Sequence, residues 1–388
     1  MFYFAAYRRR MSEHRKVAKP ASQPAWEGST APHPEARRGR GAVTNAVGRY
    51  EPEAREYVDD GWDNLDLEPP PLRTTVQVDS TRTIIARNTS PDIGFDRSIN
   101  PYRGCEHGCI YCFARPTHAY LGLSPGLDFE SRLFAKPNAA ELLTKELKAP
   151  KYRCRPIAMG TNTDPYQPIE REHKITRSVL EVLARFNHPV TMVTKSALIM
   201  RDIDILAPMA EKNLARVALS VTSLDGHLAR KMEPRASTPS RRLLALKTLS
   251  DAGIPTAVMV APVIPGLNDH EVESILTAAR DCGVREAGYV MLRLPIEVKD
   301  LFREWLDDAV PTKAAKVMSP VRSMRGGLDY DAEWGTRMRG TGPVADVLRA
   351  RFKLACARLG LNKNEYTGNL DCTRFRPPPE AGQQLQLI

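Results

Sequence analysis

Short apolar runs alternate with amphipathic stretches along residues 98–291. Six runs read as strands: Ser98–Tyr102, Ile157–Met159, Val190–Val193, Ala215–Val221, Thr256–Val260 and Ala287–Met291. The intervening stretches read as helices. Ile175, Val179, Val182, Leu183 and Phe186 share one face at helical spacing, and a second helix is expected near 201–212. A third carries Leu243, Leu244, Leu246 and Leu249 as an apolar stripe and halts at Gly253. A fourth opens on Asn268-Asp269-His270-Glu271, which resembles a capping box, and stops at Gly283. From the second run on, strand starts recur about every 25 to 40 residues, the spacing of successive βαβ units. An α/β fold with a parallel sheet and right-handed crossovers follows, open or closed into a barrel. Polar loops follow the strands at Gly160–Pro165, Thr194–Ser196, Thr222–Gly226 and Ala261–Asn268, so the carboxyl ends of the strands should line the site.

The flanks differ from this middle. Residues 1–72 are rich in proline, glycine and charge and lack periodicity, which predicts a disordered leader. Residues 301–375 read as a helical C-terminal extension, and 376–388, opening on Arg376 and three prolines, as a flexible tail. The net charge of +10 is not in the leader: residues 1–50 hold 10 basic and 3 acidic side chains, and 51–72 hold 1 and 8, so the two blocks cancel. The excess lies on the body, which suits a polyanionic partner or simply solubility. The longest uncharged run, Ala252–Asn268, has 17 residues and three prolines, too short and too broken to span a bilayer. Seven cysteines without a secretory pattern point to a reducing, cytoplasmic location.

Three of those cysteines sit within eight residues, in Asn100-Pro-Tyr-Arg-Gly-Cys105-Glu-His-Gly-Cys109-Ile-Tyr-Cys112-Phe-Ala-Arg, just after the first strand. Gly104 and Gly108 permit tight turns, so the loop can curl until Cys105, Cys109 and Cys112 converge. Thiolates are soft ligands for iron–sulfur clusters or zinc. A cubane normally takes four cysteines, and three would leave one iron open. A zinc knuckle completed by His107 or His118, and a metal-free thiol cluster, are the competing readings.

The C-x3-C-x2-C loop, with Tyr111 before its third cysteine and a strand–helix succession behind it, resembles the radical S-adenosylmethionine (SAM) superfamily. The resemblance implies a partial (β/α)6 TIM-like barrel over 73–300. It also implies a [4Fe–4S] cluster on Cys105, Cys109 and Cys112, with SAM chelating the fourth iron. One-electron reduction would cleave SAM to a 5′-deoxyadenosyl radical that abstracts a substrate hydrogen. Over roughly residues 75–300 the chain is more closely similar to the spore photoproduct lyase-like branch, labelled DNA repair photolyase-related. That likeness places Thr161, Thr163 and Asp164 of Gly160-Thr-Asn-Thr-Asp-Pro165, Lys195, and Ser220 with Thr222 among the SAM contacts, with Phe113 near the adenine. It also implies an external one-electron reductant of the flavodoxin or ferredoxin type. The branch's hydrogen-donating cysteine corresponds here to about Thr161, whose hydroxyl is a poor hydrogen-atom donor, so direct thymine-dimer repair is not implied. Arg103 and Arg293 also fall on the expected active face, while Cys154, Cys282 and Cys356 read as small buried hydrophobes and Cys372 as a residue that could return over the barrel mouth. The leading expectation is therefore a lyase-like radical enzyme acting on a substrate that includes nucleic acid among its options. A nucleic-acid-binding protein with a structural Fe–S or zinc site, and a plain electron carrier, are the alternatives.

Overall fold

The computed structural model describes residues 37–51, 71–363 and 369–378. In chain order the strands are β1 (Thr75–Val78), β2 (Ile85–Arg87), β3 (Arg97–Ile99), β4 (Tyr102–Arg103), β5 (Arg132–Ala135), β6 (Ile157–Met159), β7 (Val190–Thr194), β8 (Ala215–Ser220), β9 (Thr256–Val263) and β10 (Glu286–Met291). The main sheet runs β10-β9-β8-β7-β6-β3-β2. Every neighbouring pair from β3 to β10 is parallel, and only β2 runs antiparallel, against β3. The six expected strands are all present, in sequence order across the sheet.

The crossover helices Ile175–Arg185, Ile203–Glu211, Pro239–Asp251 and Val272–Asp281 share one core with a single face of the sheet. Val190, Met192, Val217, Leu219, Val258 and Val260 meet Val179, Leu183, Leu206, Leu246, Leu249 and Ile275 there. At the amino-terminal ends of the strands, Thr191, Val193, Ala218 and Ala257 border a hollow of about 520 Å³ together with Gly253 and Pro255. A parallel sheet with its crossover helices packed on one face is compatible with a barrel wall. The wall is incomplete, because β10 and β2 are the two ends of the sheet. Gly253 and Gly283 end their helices as expected: each has positive φ, and the following N–H (Ile254, Val284) reaches back to Leu249 O at 3.1 Å and Ala279 O at 3.2 Å.

Two local expectations are corrected. Leu244 is 45% exposed while Leu246 and Leu249 are buried, because the stripe is wider than the face that meets the sheet. Asn268 caps no helix: its Oδ1 accepts from Ile264 N at 2.7 Å, and its Nδ2 donates to Thr222 O and Pro262 O. Glu271 accepts from Ser223 Oγ rather than from the helix start. These side chains stitch the loops after β8 and β9 together.

The flanks also depart from expectation. Within the stretch expected to be disordered, residues 37–51 lie against the body. Arg40 donates to Glu130 O, Leu72 O and Thr74 Oγ1, Thr44 to Glu304, and Asn45 pairs with Asp128. The rest of that leader, and most of the expected tail, lie outside the described residues. Residues 331–339 bridge the two ends of the sheet. Met338 O accepts from Met291 N at 2.9 Å beyond β10. Gly335 N and Arg337 bind Asp92, and Arg337 binds Ser90, in the β2–β3 turn. Residues 369–378 cross the amino-terminal ends of the strands, where Asp371 N meets Asn213 O and Phe375 packs on Tyr152 and His188. Cys372 accordingly sits beside Cys154, below the sheet and away from its mouth, and burial with this neighbour pushes the Cys154 thiol up to about 12. Cys154 and Cys282 are only partly buried, and of the three expected core cysteines only Cys356 is fully so.

Candidate radical cofactor site

The cysteine loop leaves the main sheet after β3, passes through β4 and returns at β5. β4 and β5 pair with each other, and β1 joins β5, so this small sheet fixes the loop's entry and exit. Gly104 and Gly108 both have positive φ. A Cβ on Gly104 would come within 2.7 Å of Leu133 Cδ2, and one on Gly108 within 2.7 Å of Glu130 Oε2. Each position thus needs glycine for conformation and for space.

Arg115, fully buried, holds the loop from inside. Its Nε donates to Cys109 O at 3.0 Å, and its Nη atoms donate to Gly108 O, Pro125 O and Gly126 O. Its charge is met by Glu130, also fully buried, at 2.5 Å. Glu130 also accepts from Gly41 N and Ala42 N, each at 2.8 Å. A second brace comes from Gln167, which accepts from Glu106 N and donates to Gly104 O.

Cys105 and Cys109 are buried and Cys112 nearly so. Burial pushes all three thiols up, and each of Cys105 and Cys109 also senses the charge of Cys112. Lys195 works in the opposite direction on Cys109 and Cys112. Among the described residues no three His, Cys, Asp or Glu side chains close around a single ion-sized point. The three thiols share one glycine-turned loop and sense one another electrostatically, and three soft thiolate donors are the set that a cubane with one open iron would use. The histidines offered for zinc are placed elsewhere. His118 lies edge-on to Phe129 with Nε2 on Arg132 O, and burial lowers it to about 4; His107 Nδ1 faces Asp164 at 3.4 Å.

Of the residues predicted to touch SAM, several are braces. Asp164 accepts from Thr194 Oγ1 at 2.6 Å, from Tyr166 N and from Lys195 N, which ties the loop after β6 to the end of β7. Burial alone would raise this carboxyl, but His107 and these hydrogen bonds outweigh it and hold it down at about 2. Thr163 donates to Tyr102 O, and Thr161 donates to Asn100 Oδ1 at 3.2 Å. Thr222 is fully buried and donates to Glu233 Oε1 at 2.6 Å. Glu233 was not singled out by the sequence, yet it is the hub here: buried, it accepts from Tyr111, Thr222 and Arg242, joining the cysteine loop to β8 and to Pro239–Asp251. Arg242 Nη1 also holds Ser220 O at 2.9 Å. Nothing in the local sequence of Glu233 signals this: Thr222 and Arg242 lie 11 and 9 residues away on other elements, and Tyr111 lies 122 residues away.

Two predicted residues keep free chemistry. Lys195, partly buried, makes no ion pair among the described residues, and its Nζ lies 5.7 Å over the Tyr111 ring. Phe113 is 43% exposed, with the Arg293 guanidinium 4.9 Å from its ring centre. Arg103, by contrast, pairs with Asp79 at 2.6 Å.

Because Asp164 has a folded-state pKa depressed from 3.8 to about 2, its contribution to stability is complete above pH 3.8 and disappears as pH falls through about 2. Asp164→Asn should therefore melt below the wild-type protein at neutral pH, and the gap should close between those two pH values. A gap unchanged down to pH 2 would show that the carboxylate charge carries none of this bracing.

Residues 99–279 match the radical SAM superfamily. An uncharacterized protein of Mycobacterium tuberculosis is 37% identical over 219 residues, covering 56% of this chain and 64% of the relative. One of Methanocaldococcus jannaschii is 31% identical over 174 residues, covering 45% and 62%. The chain thus spans less than two thirds of these relatives' length. Among solved structures, a mutant spore photoproduct lyase with bound AdoMet and dinucleoside spore photoproduct aligns with a TM-score of 0.50 at 15% identity, over 74% of this chain and 80% of that one. At that identity the likeness is one of fold. No helix among the described residues is long and apolar enough to cross a membrane. With its six parallel strands and its matched segment beginning at β3, the chain is similar over residues 99–279 to the radical SAM superfamily, whose enzymes work with a [4Fe–4S] cluster and S-adenosylmethionine.

Proposed function

We propose that Cys105, Cys109 and Cys112 hold the cluster, and that this chain is a lyase-like enzyme that cleaves SAM reductively and passes the radical to a substrate. Held by Cys105, Cys109 and Cys112, the cluster would supply one-electron reductive cleavage of SAM, with methionine leaving and a hydrogen-abstracting 5′-deoxyadenosyl radical released. The observation that carries this reading is the grouping of two buried thiols and one partly buried thiol on one loop near Lys195, a cation without a carboxylate partner among the described residues. Lys195 is suited to the methionyl carboxylate of SAM, being a charged donor on the active face between β7 and its helix. Thr161 in the loop after β6 and Ser220 at the end of β8 follow the strands on either side of β7, and Phe113 offers an exposed ring for adenine. Asp164, Thr163 and Thr222 position these groups by backbone and side-chain hydrogen bonds. Arg115, Glu130 and the glycine turns keep the loop closed and dry, as radical chemistry requires. An external one-electron donor of the flavodoxin or ferredoxin type would feed the site.

The test is anaerobic reconstitution with iron and sulfide analysis, followed by a 5′-deoxyadenosine assay with dithionite. Four irons per chain and nucleoside release are expected of a [4Fe–4S] enzyme. A single zinc, or four irons without nucleoside, would overturn the reading. Lys195→Met should retain its iron but bind SAM about tenfold more weakly or worse, the loss expected for one charge-assisted contact. Equilibrium dialysis with labelled SAM measures this, and unchanged affinity would remove Lys195 from the site.

A further inference from the structure

Arg293 lies two residues beyond β10, on the face where the strands end. Its guanidinium is stacked on Phe113, the residue after the third cysteine, at 4.9 Å. Among the described residues its Nη1 faces only the Met338 thioether, at 3.4 Å, and its Nε is buried without an acceptor. A thioether is a weak acceptor, and a guanidinium carries five N–H donors in one plane. The Phe113 ring lies on one side of the guanidinium, and no described residue accepts from Nε, so the Nε–Nη2 edge is a fork without a protein partner, the geometry that takes two oxygens of a carboxylate or phosphate side by side.

The surroundings do not neutralise this charge. Asp92 is within electrostatic reach, but its oxygens are taken by Gly335 N and Arg337. Asp331 accepts from Glu333 N and Thr336 Oγ1. Arg325, buried nearby, donates to the Thr336 and Leu292 carbonyls and adds a further positive charge. Three guanidiniums thus face two carboxylates, both already engaged. A half-buried cation without a counter-charge is costly unless something supplies one.

We propose that Arg293 binds an oxyanion of the substrate, phosphate or carboxylate, in the gap between the sheet ends under residues 331–339. This rests on the radical-enzyme reading for its meaning, since it names the substrate as anionic, but the binding itself needs no SAM cleavage. The probes are inorganic phosphate and acetate, titrated calorimetrically into the reconstituted, SAM-saturated full-length protein at low ionic strength. Wild type should bind one of them about tenfold more tightly than Arg293→Gln, the loss expected when one charge-assisted fork is removed. The tighter of the two names the source, phosphate or carboxylate. Arg293→Lys, which keeps the charge but not the fork, should fall between. Arg349→Gln, on the helix Gly342–Leu359, should bind as wild type does. Circular dichroism confirms that the variants are folded, and the lysine variant carries the comparison if the glutamine variant is not. Equal binding by wild type and the Arg293 variants overturns the proposal. So does a loss confined to SAM affinity, which would assign Arg293 to the cofactor. If the preparation is colourless yet the Arg293-dependent binding persists, the anion site stands and only the radical reading fails.

Discussion

Cys109→Ala should give a colourless protein after anaerobic reconstitution, with iron reduced from about four per chain to a small residue and no 5′-deoxyadenosine on adding dithionite. The expectation is this severe because the loop has no substitute donor. Cys154, Cys282, Cys356 and Cys372 all lie on other elements, and Cys154 and Cys372 sit together at the opposite end of the strands. His107 and His118 are engaged by Asp164 and by the Arg132 carbonyl. The fold itself should survive, because alanine fills most of the space of a buried thiol and none of the braces described above uses the Cys109 side chain. Circular dichroism should thus match wild type while visible absorption is lost. Retained iron and nucleoside release in this variant would overturn the assignment of the cysteine triad.

Glu130→Gln should have the larger structural effect. Glu130 is fully buried and accepts from Arg115, Gly41 N and Ala42 N. An amide in its place turns one acceptor into a donor that must face another donor. It also leaves the buried Arg115 without a counter-charge. Breaking a buried ion pair from one side typically costs about 3–5 kcal/mol. Because Arg115 holds the Cys109 and Gly108 carbonyls, the loss should appear as a lower melting temperature together with poor iron incorporation. Arg115→Met with Glu130→Leu, which removes both charges, should recover part of the melting temperature but not the iron, since apolar replacements restore burial and not the carbonyl contacts. A single Glu130→Gln variant that melts as wild type does would show that the pair is not what supports the loop.

The repeating part of the fold could be read from sequence because its signals are local. Each strand is an apolar run, and Gly253 and Gly283 end their helices through a backbone geometry that glycine favours. The cysteine triad was proposed on an equally local signal, because spacing within eight residues sets what can converge. What remained hidden depends on contacts between distant segments. Glu233 joins three elements, and Asn268 looked like a cap because its neighbours suit one, yet its amide serves Thr222 and Pro262. The partners of Thr222 and Thr163 were also hidden, since a hydroxyl at a strand end gives no sign of whether a carbonyl or carboxylate already waits for it. The small sheet of β1, β5 and β4 was missed because its strands are four residues or fewer and two of them lie in stretches without alternation.

The Gly41 and Ala42 amides also set where this protein can be shortened. The recognisable domain begins at residue 99, and a truncation at that border would look conservative. It would nevertheless strip two of the donors from an anion sealed in the interior and expose the apolar surface that Ala42 covers. The minimal autonomous unit therefore starts some sixty residues upstream of the homology boundary, near Arg40, and a proline- and glycine-rich composition was no guide to dispensability.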